Sequence, residues 1–260
     1  MRNYCKTVGA LAAASTLVAG YASAELEGEV HVGYTNMYEF RFVDLGNDLV
    51  DAGVDVAYSM GDLSFSAGAW YATWDTDNAT QATSTLLGGP AINNDELDLY
   101  GGVSYGIGDV TLELGYIYYY FPDAGANTQE VYLGASYDLP FGVSLGSTFY
   151  YDFDAFDGWY WDTSLGYTIE FNDCLSLELG AGVGFADGQG LQLSATSPTG
   201  TADGFQGWYL TAALPWEFRE GVTLTPYVKY TDGDSDLITD LYATSGQEYL
   251  IGGVKLAVSF

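Results

Sequence analysis

Positive charge is what this 260-residue chain has least of: 6 Lys and Arg residues stand against 35 Asp and Glu, with one His. A phosphate backbone would find almost nothing to hold, so nucleic acid is excluded as a partner and anionic ligands are disfavoured. Cysteine is nearly absent too, with only Cys5 and Cys174, too few for a disulfide framework. No GxSxG, HExxH or CxxC arrangement occurs, which removes the common signatures of hydrolases, zinc proteases and thiol redox sites. A Ser–His pair would have to use His31, and the expectation is a protein that is not an enzyme. DGDSD at 232–236 has the alternating carboxylates of a calcium loop, but Leu237 and Ala243 occupy the positions that need Gly and Glu. No metal and no cofactor are predicted.

Long hydrophobic runs are also missing, apart from one near the start. Residues 1–24 carry Arg2 and Lys6, an apolar run from about Val8 to Ala19, and then Ala22-Ser23-Ala24. That is the layout of a secretory signal peptide, and the run is short of the ~20 residues of a membrane-spanning helix. The expected division is a signal peptide at 1–24, taking Cys5 with it, and one domain at 25–260. Four basic residues then remain, Arg41, Arg219, Lys229 and Lys255, against all 35 acidic ones. Charge of that size in a weakly apolar chain would mean disorder; here 48% of residues are hydrophobic and 16% aromatic, which argues for an ordered fold.

What is present is a two-residue rhythm. Val50, Ala52, Val54, Val56 and Tyr58 alternate with Asp51, Gly53, Asp55 and Ala57. Leu63 to Tyr71, Leu97 to Tyr105 and Val110 to Tyr120 repeat the pattern, as do stretches near 26–35, 129–137, 143–153, 159–169, 175–185, 206–216, 222–231 and 247–260. That makes about twelve strands of roughly ten residues, a length that crosses a bilayer when tilted. Connections alternate between short (59–63, 105–110, 137–143, 170–175, 216–222) and mostly long and polar (75–94, 187–204, 232–247). The predicted fold is all-β: a transmembrane up-and-down antiparallel β-barrel with short periplasmic turns and long extracellular loops, in the outer membrane of a Gram-negative bacterium.

Aromatics sharpen the prediction. Tyr58, Tyr105, Tyr137, Tyr167, Trp216 and Phe260 end the apolar face at the short-turn side; Trp159, Trp161 and Trp208 stand on the same face at the other side. Two aromatic girdles on one face mark a lipid-facing wall. The implied partners are outer-membrane lipid and lipopolysaccharide. The last strand, YLIGGVKLAVSF, ends on Phe260 in the manner read by the barrel-assembly machinery.

The opposite parity lines the interior. Its acids are Glu27, Glu29, Asp51, Asp55, Glu96, Asp98, Glu113, Glu130, Asp152, Asp162 and Glu178; its bases are His31, Lys229 and Lys255. Arg41 falls in MYEFRFVDLG (37–46), in the first external loop or folding inward from it, where pairing with an acid is the expectation. Rings of carboxylates attract cations and repel anions. The reading is a porin-like channel for passive diffusion of small solutes, cationic or neutral by preference. Side chains nearly fill barrels of about eight strands, while 16–18 leave a channel, so a plugged lumen stays open as well. A non-conducting structural or adhesive barrel acting through its loops is the alternative.

Residues 33–74 resemble the opening of the TorF-type putative porin family of Gram-negative bacteria. That opening reads Tyr-x-Phe-Arg-Gly, then Gly-Gly-x-Asp-Tyr, then an aliphatic strand ending in Gly-x-Trp. Tyr38-Glu39-Phe40-Arg41 matches with Phe42 in place of the Gly, and Ala52-Gly53-Val54-Asp55 parallels the second element. The resemblance implies an outer-membrane barrel with a pore function.

Overall fold

The computed structural model describes residues 25–75, 95–122, 126–188, 193–194, 197–201, 203–234, 237–238 and 248–260. The expected leader at 1–24 lies outside them, as does most of the 75–94 connection. Strands run in the order β1 (Glu25–Phe40), β2 (Val43–Met60), β3 (Leu63–Asp75), β4 (Asp95–Ile107), β5 (Val110–Phe121) and β6 (Ala126–Leu139). They continue through β7 (Val143–Asp152), β8 (Gly158–Asn172), β9 (Leu175–Asp187), β10 (Leu193–Ser194), β11 (Ser197–Thr201), β12 (Gly204–Ala213), β13 (Trp216–Arg219), β14 (Val222–Gly233), β15 (Leu237–Ile238) and β16 (Glu248–Ser259).

Each strand from β1 to β9 pairs antiparallel with the next, and β14 and β16 complete the sequence. β12 and β13 lie between the same two neighbours, β9 and β14. They form one stave interrupted at Leu214-Pro215, where proline has no N–H to give a ladder. The ring therefore has twelve staves, and β16 closes it on β1 from Glu29↔Ser259 to Thr35↔Gly253. The short strands β10, β11 and β15 form a separate three-stranded sheet contributed by two long connections.

Closure leaves the twelve-stave ring without an open edge strand. The seam is finished by Phe260 N–H donating to the Gly28 carbonyl (2.9 Å) and Gly28 N–H to the Phe260 carbonyl (3.0 Å). The Phe260 ring occupies the space a Cβ on Gly28 would need. Gly28→Val should push that ring aside at a cost within about 1 kcal/mol, because the ring is 71% exposed, read as a heat-induced shift in gel mobility close to that of the wild type.

Period-two sorting holds around the ring. Val30, Val54, Phe65, Leu99, Leu114, Leu133, Leu165, Leu210 and Leu256 are exposed on the outer face, while the interleaved residues point inside. Short turns join the staves at one end, with Gly61 and Gly108 at φ 62° and 64°, a conformation that favours glycine.

Of the two courses left open for residues 37–46, the structure takes the inward one: β1 and β2 continue as paired strands to Phe40 and Val43 and join through the two-residue turn Arg41-Phe42. Buried apolar side chains gather along this overrun, with Tyr38, Val43, Leu45, Leu49, Ala72 and Trp74 in one cluster and Phe42, Tyr132, Tyr150, Tyr160 and Ala186 in another. The packed core is thus inside the ring, around its own first hairpin.

Candidate functional site

The overrun of β1 and β2 is too long to remain in the wall. Its pairing slips beside Tyr38 and Glu39, and the β2–β3 pairing slips between Asn47 and Val50. Such bulges bend a strand, and the hairpin tip lies across the lumen. Arg41 and Phe42 have φ 52° and 71°. Both central residues are left-handed, the type I′ geometry in which Asn-Gly is preferred.

At the far wall the Arg41 guanidinium meets the Glu130 carboxylate of β6 through two parallel bonds of 2.7 Å each. Both side chains are nearly sealed from solvent, at 8% and 3% exposure. Tyr119 of β5 donates to the same carboxylate at 3.0 Å. Arg41 Cζ lies 4.7 Å from the ring centres of Phe40 and Tyr150 and 4.6 Å from that of Tyr160. A planar cation thus has a bidentate counter-ion at its fork and aromatic faces about it.

Phe42 rests on a floor of glycine. A Cβ at Gly184 of β9 or Gly207 of β12 would strike its ring, and it is 2% exposed. The other flank of the hairpin is tied by Lys229 of β14, which donates to Glu39, while Glu39 also accepts the Phe42 amide at 2.5 Å. Tyr38 donates to Glu96 of β4 at 2.7 Å and meets the Trp74 ring edge-on at 4.8 Å. Trp74 in turn donates to the Leu45 carbonyl at 2.9 Å.

Toward the short-turn end the lumen is an acidic network. His31 lies 3.8 Å from Glu29, 3.7 Å from Asp51 and 3.6 Å from Asp55. Lys255 donates to Glu29 at 3.1 Å. Tyrosines serve several acids: Tyr100 donates to Asp55 at 2.6 Å and Tyr132 to Glu113 at 2.8 Å, while at the level of the hairpin tip, where Asp162 pairs with Gly184, Tyr209 donates to Asp162 at 3.1 Å. Their rings do not project into the bore. Tyr100, Tyr132, Tyr209 and Tyr227 lie flat over Gly68, Gly115, Gly182 and Gly253 of the adjoining strand, in space a Cβ would occupy. Glycine here is what lets an aromatic line the wall without narrowing it. Among the described residues no cluster of His, Cys, Asp and Glu has the arrangement of a metal site.

Residues 20–252 match the model of Gcw_chp, a bacterial protein family of unknown function. The chain belongs to that family. No curated protein matches it in sequence. Solved structures share its fold at low identity. The NanC porin is 12% identical over 90% of this chain and 98% of its own, with a TM-score of 0.51. The COG4313 outer membrane channel of Pseudomonas putida F1 gives 12%, 93%, 97% and 0.53. The translocator domain of autotransporter NalP from Neisseria meningitidis gives 14%, 92%, 89% and 0.50. Porin, channel and translocator share one architecture, so at these identities the likeness carries the barrel and leaves function to the site.

In this Gcw_chp chain, the inward parity holds Glu29, Asp51, Asp55, Glu96, Asp98, Glu113, Glu130, Asp152, Asp162 and Glu178, together with Lys229 and Lys255. Glu27 shares the parity but is exposed at the short-turn rim. Arg41 folds inward from the first hairpin. Tyr58, Tyr105, Tyr137, Tyr167, Trp161, Trp208, Trp216 and Phe260 are exposed on the outer face, and Trp159 stacks there on Phe149. The candidate list omits Tyr38, Glu39 and Phe42, which complete the crossing. Their one signal is the segment YEFRF, where aromatics crowd a lone arginine and the alternation lapses.

Proposed function

We propose that the protein is a porin-like channel of the Gram-negative outer membrane, of the TorF type its opening resembles, passing small polar solutes with a preference for cations and neutral molecules. One observation carries the reading. Inside a ring whose outer wall is apolar, carboxylates stand on the inward face of nearly every stave from β1 to β9. Among the described residues, the inward bases are His31, Arg41, Lys229 and Lys255. A low-dielectric wall focuses that field, concentrating cations at the mouth and excluding anions. The aromatic residues at both ends of the outer face support a place in a bilayer, with lipid and lipopolysaccharide as neighbours. His31 is enclosed by carboxylates and faces away from lipid, which supports a role other than catalysis.

Reconstitution into planar bilayers tests the reading, with discrete conductance steps expected. Asp55→Asn, Glu113→Gln and Asp162→Asn together should lower the cation-over-anion permeability ratio several-fold; an unchanged ratio would assign selectivity elsewhere. The hairpin across the lumen favours a second reading, a closed barrel working through its external surface, and the absence of any conductance step would decide for it.

A further inference from the structure

The Arg41 pocket has a feature that a simple plug does not need. Beside Phe40, the groups named around the guanidinium belong to the wall: Tyr119 on β5, Glu130 on β6, Tyr150 on β7 and Tyr160 on β8, four consecutive staves. The hairpin's Phe40 and Phe42 pack on these groups, but the wall supplies contacts of its own. Tyr150 packs against Tyr132 and Tyr160, with ring centres 5.6 Å and 6.2 Å apart. Tyr160 lies over Gly184, and Tyr119 holds the carboxylate. If the hairpin were withdrawn, a preformed recess would remain, with one buried carboxylate at its base and phenol rings along its sides. That chemistry recognises a planar organic cation.

The occupant is held in a conformation its sequence does not favour. Two bulky residues, Arg41 and Phe42, fill the two left-handed positions of the turn, where such residues are strained. Withdrawing Arg41 alone would take the bidentate counter-ion from a buried Glu130, which is strongly unfavourable. Withdrawing it in exchange for another guanidinium remakes the same two bonds and relaxes the turn. An ammonium ion, a point charge, cannot reproduce the fork.

We propose that the Glu130 recess is a binding site for guanidinium-bearing solutes which the chain fills with its own Arg41, so that such a solute displaces the hairpin by taking Arg41's place. The inference rests on the channel reading, because the solute reaches Glu130 through the lumen. Arg41 is tethered on both sides by β1 and β2 and competes at high effective concentration. The exchange is therefore weak, as passage requires, since a solute bound tightly would not leave.

The test uses the full barrel in detergent, with methylguanidinium as ligand and methylammonium as the control of equal charge. By calorimetry, Arg41→Ala should bind methylguanidinium at least about tenfold more tightly than wild type does. It should prefer methylguanidinium to methylammonium by a similar factor, and Arg41→Ala/Glu130→Gln should lose the binding. Equal heats in wild type and Arg41→Ala, or undiminished binding in the double variant, would overturn the proposal. Should Arg41→Ala fail to fold, wild type in planar bilayers decides: methylguanidinium, unlike methylammonium, must change the single-channel current, and identical responses overturn it. If no variant conducts while Arg41→Ala still binds, the channel reading falls and the recess stands. If current flows with no such binding, the recess falls alone.

Discussion

Glu130→Gln should unseat the first hairpin and destabilise the barrel by about 3–5 kcal/mol, the cost of removing one partner from a buried ion pair. The pair is bidentate at 2.7 Å and almost sealed, so a buried arginine loses both bonds to its carboxylate. Urea unfolding in detergent measures the loss. Trp74, bonded to the hairpin carbonyl of Leu45, reports on the hairpin by its emission. Conductance should rise several-fold as the tip leaves the lumen. Arg41→Gln added to Glu130→Gln should recover much of the stability, because deleting both partners leaves no charge stranded. A loss below about 1 kcal/mol for the single change, the scale of an exposed pair, would mean that the hairpin is held by something else.

Phe42 gives the second large effect, and an inverted order of variants. Phe42→Ala should cost about 3–5 kcal/mol, since a ring 2% exposed is removed while the strained backbone remains. Phe42→Gly removes the same ring but returns about 1–2 kcal/mol, the left-handed penalty of a residue with a Cβ. Glycine should therefore be the more stable of the two, the reverse of the usual order. Gly184→Val approaches the same contact from the other side. Its side chain would collide with both Phe42 and Tyr160, and the expected result is an expelled hairpin in an intact barrel. Equal stabilities for the alanine and glycine variants would show that the turn carries no strain.

Alternation makes most of this architecture legible in the sequence. Val50 to Tyr58 shows which face of β2 turns outward and which holds Asp51 and Asp55, because a strand has only two faces and a one-residue slip would exchange them. The same logic places Glu113, Glu130 and Asp162 inside. The crossing is less legible. Residues 38–45 pack on all sides, so no period survives there, and Arg-Phe is not a residue pair that announces a tight turn. The opening of the resembling family has glycine where Phe42 stands, the residue that the observed φ of 71° would favour. The glycines facing the bore are equally silent in sequence. Gly68 and Gly115 look like weak points in a strand until the neighbouring strand brings Tyr100 and Tyr132 over them.

Those flattened phenols have a consequence for how current would look in time. A lining whose bulky members are fixed against the backbone has few rotamers to exchange, so its width changes little on the scale of side-chain motion. Among the described residues, the piece that crosses the lumen is one hairpin, fastened at its tip and on both flanks. A record from a single barrel should accordingly step between two steady levels, with little of the graded flicker that loosely held side chains would produce.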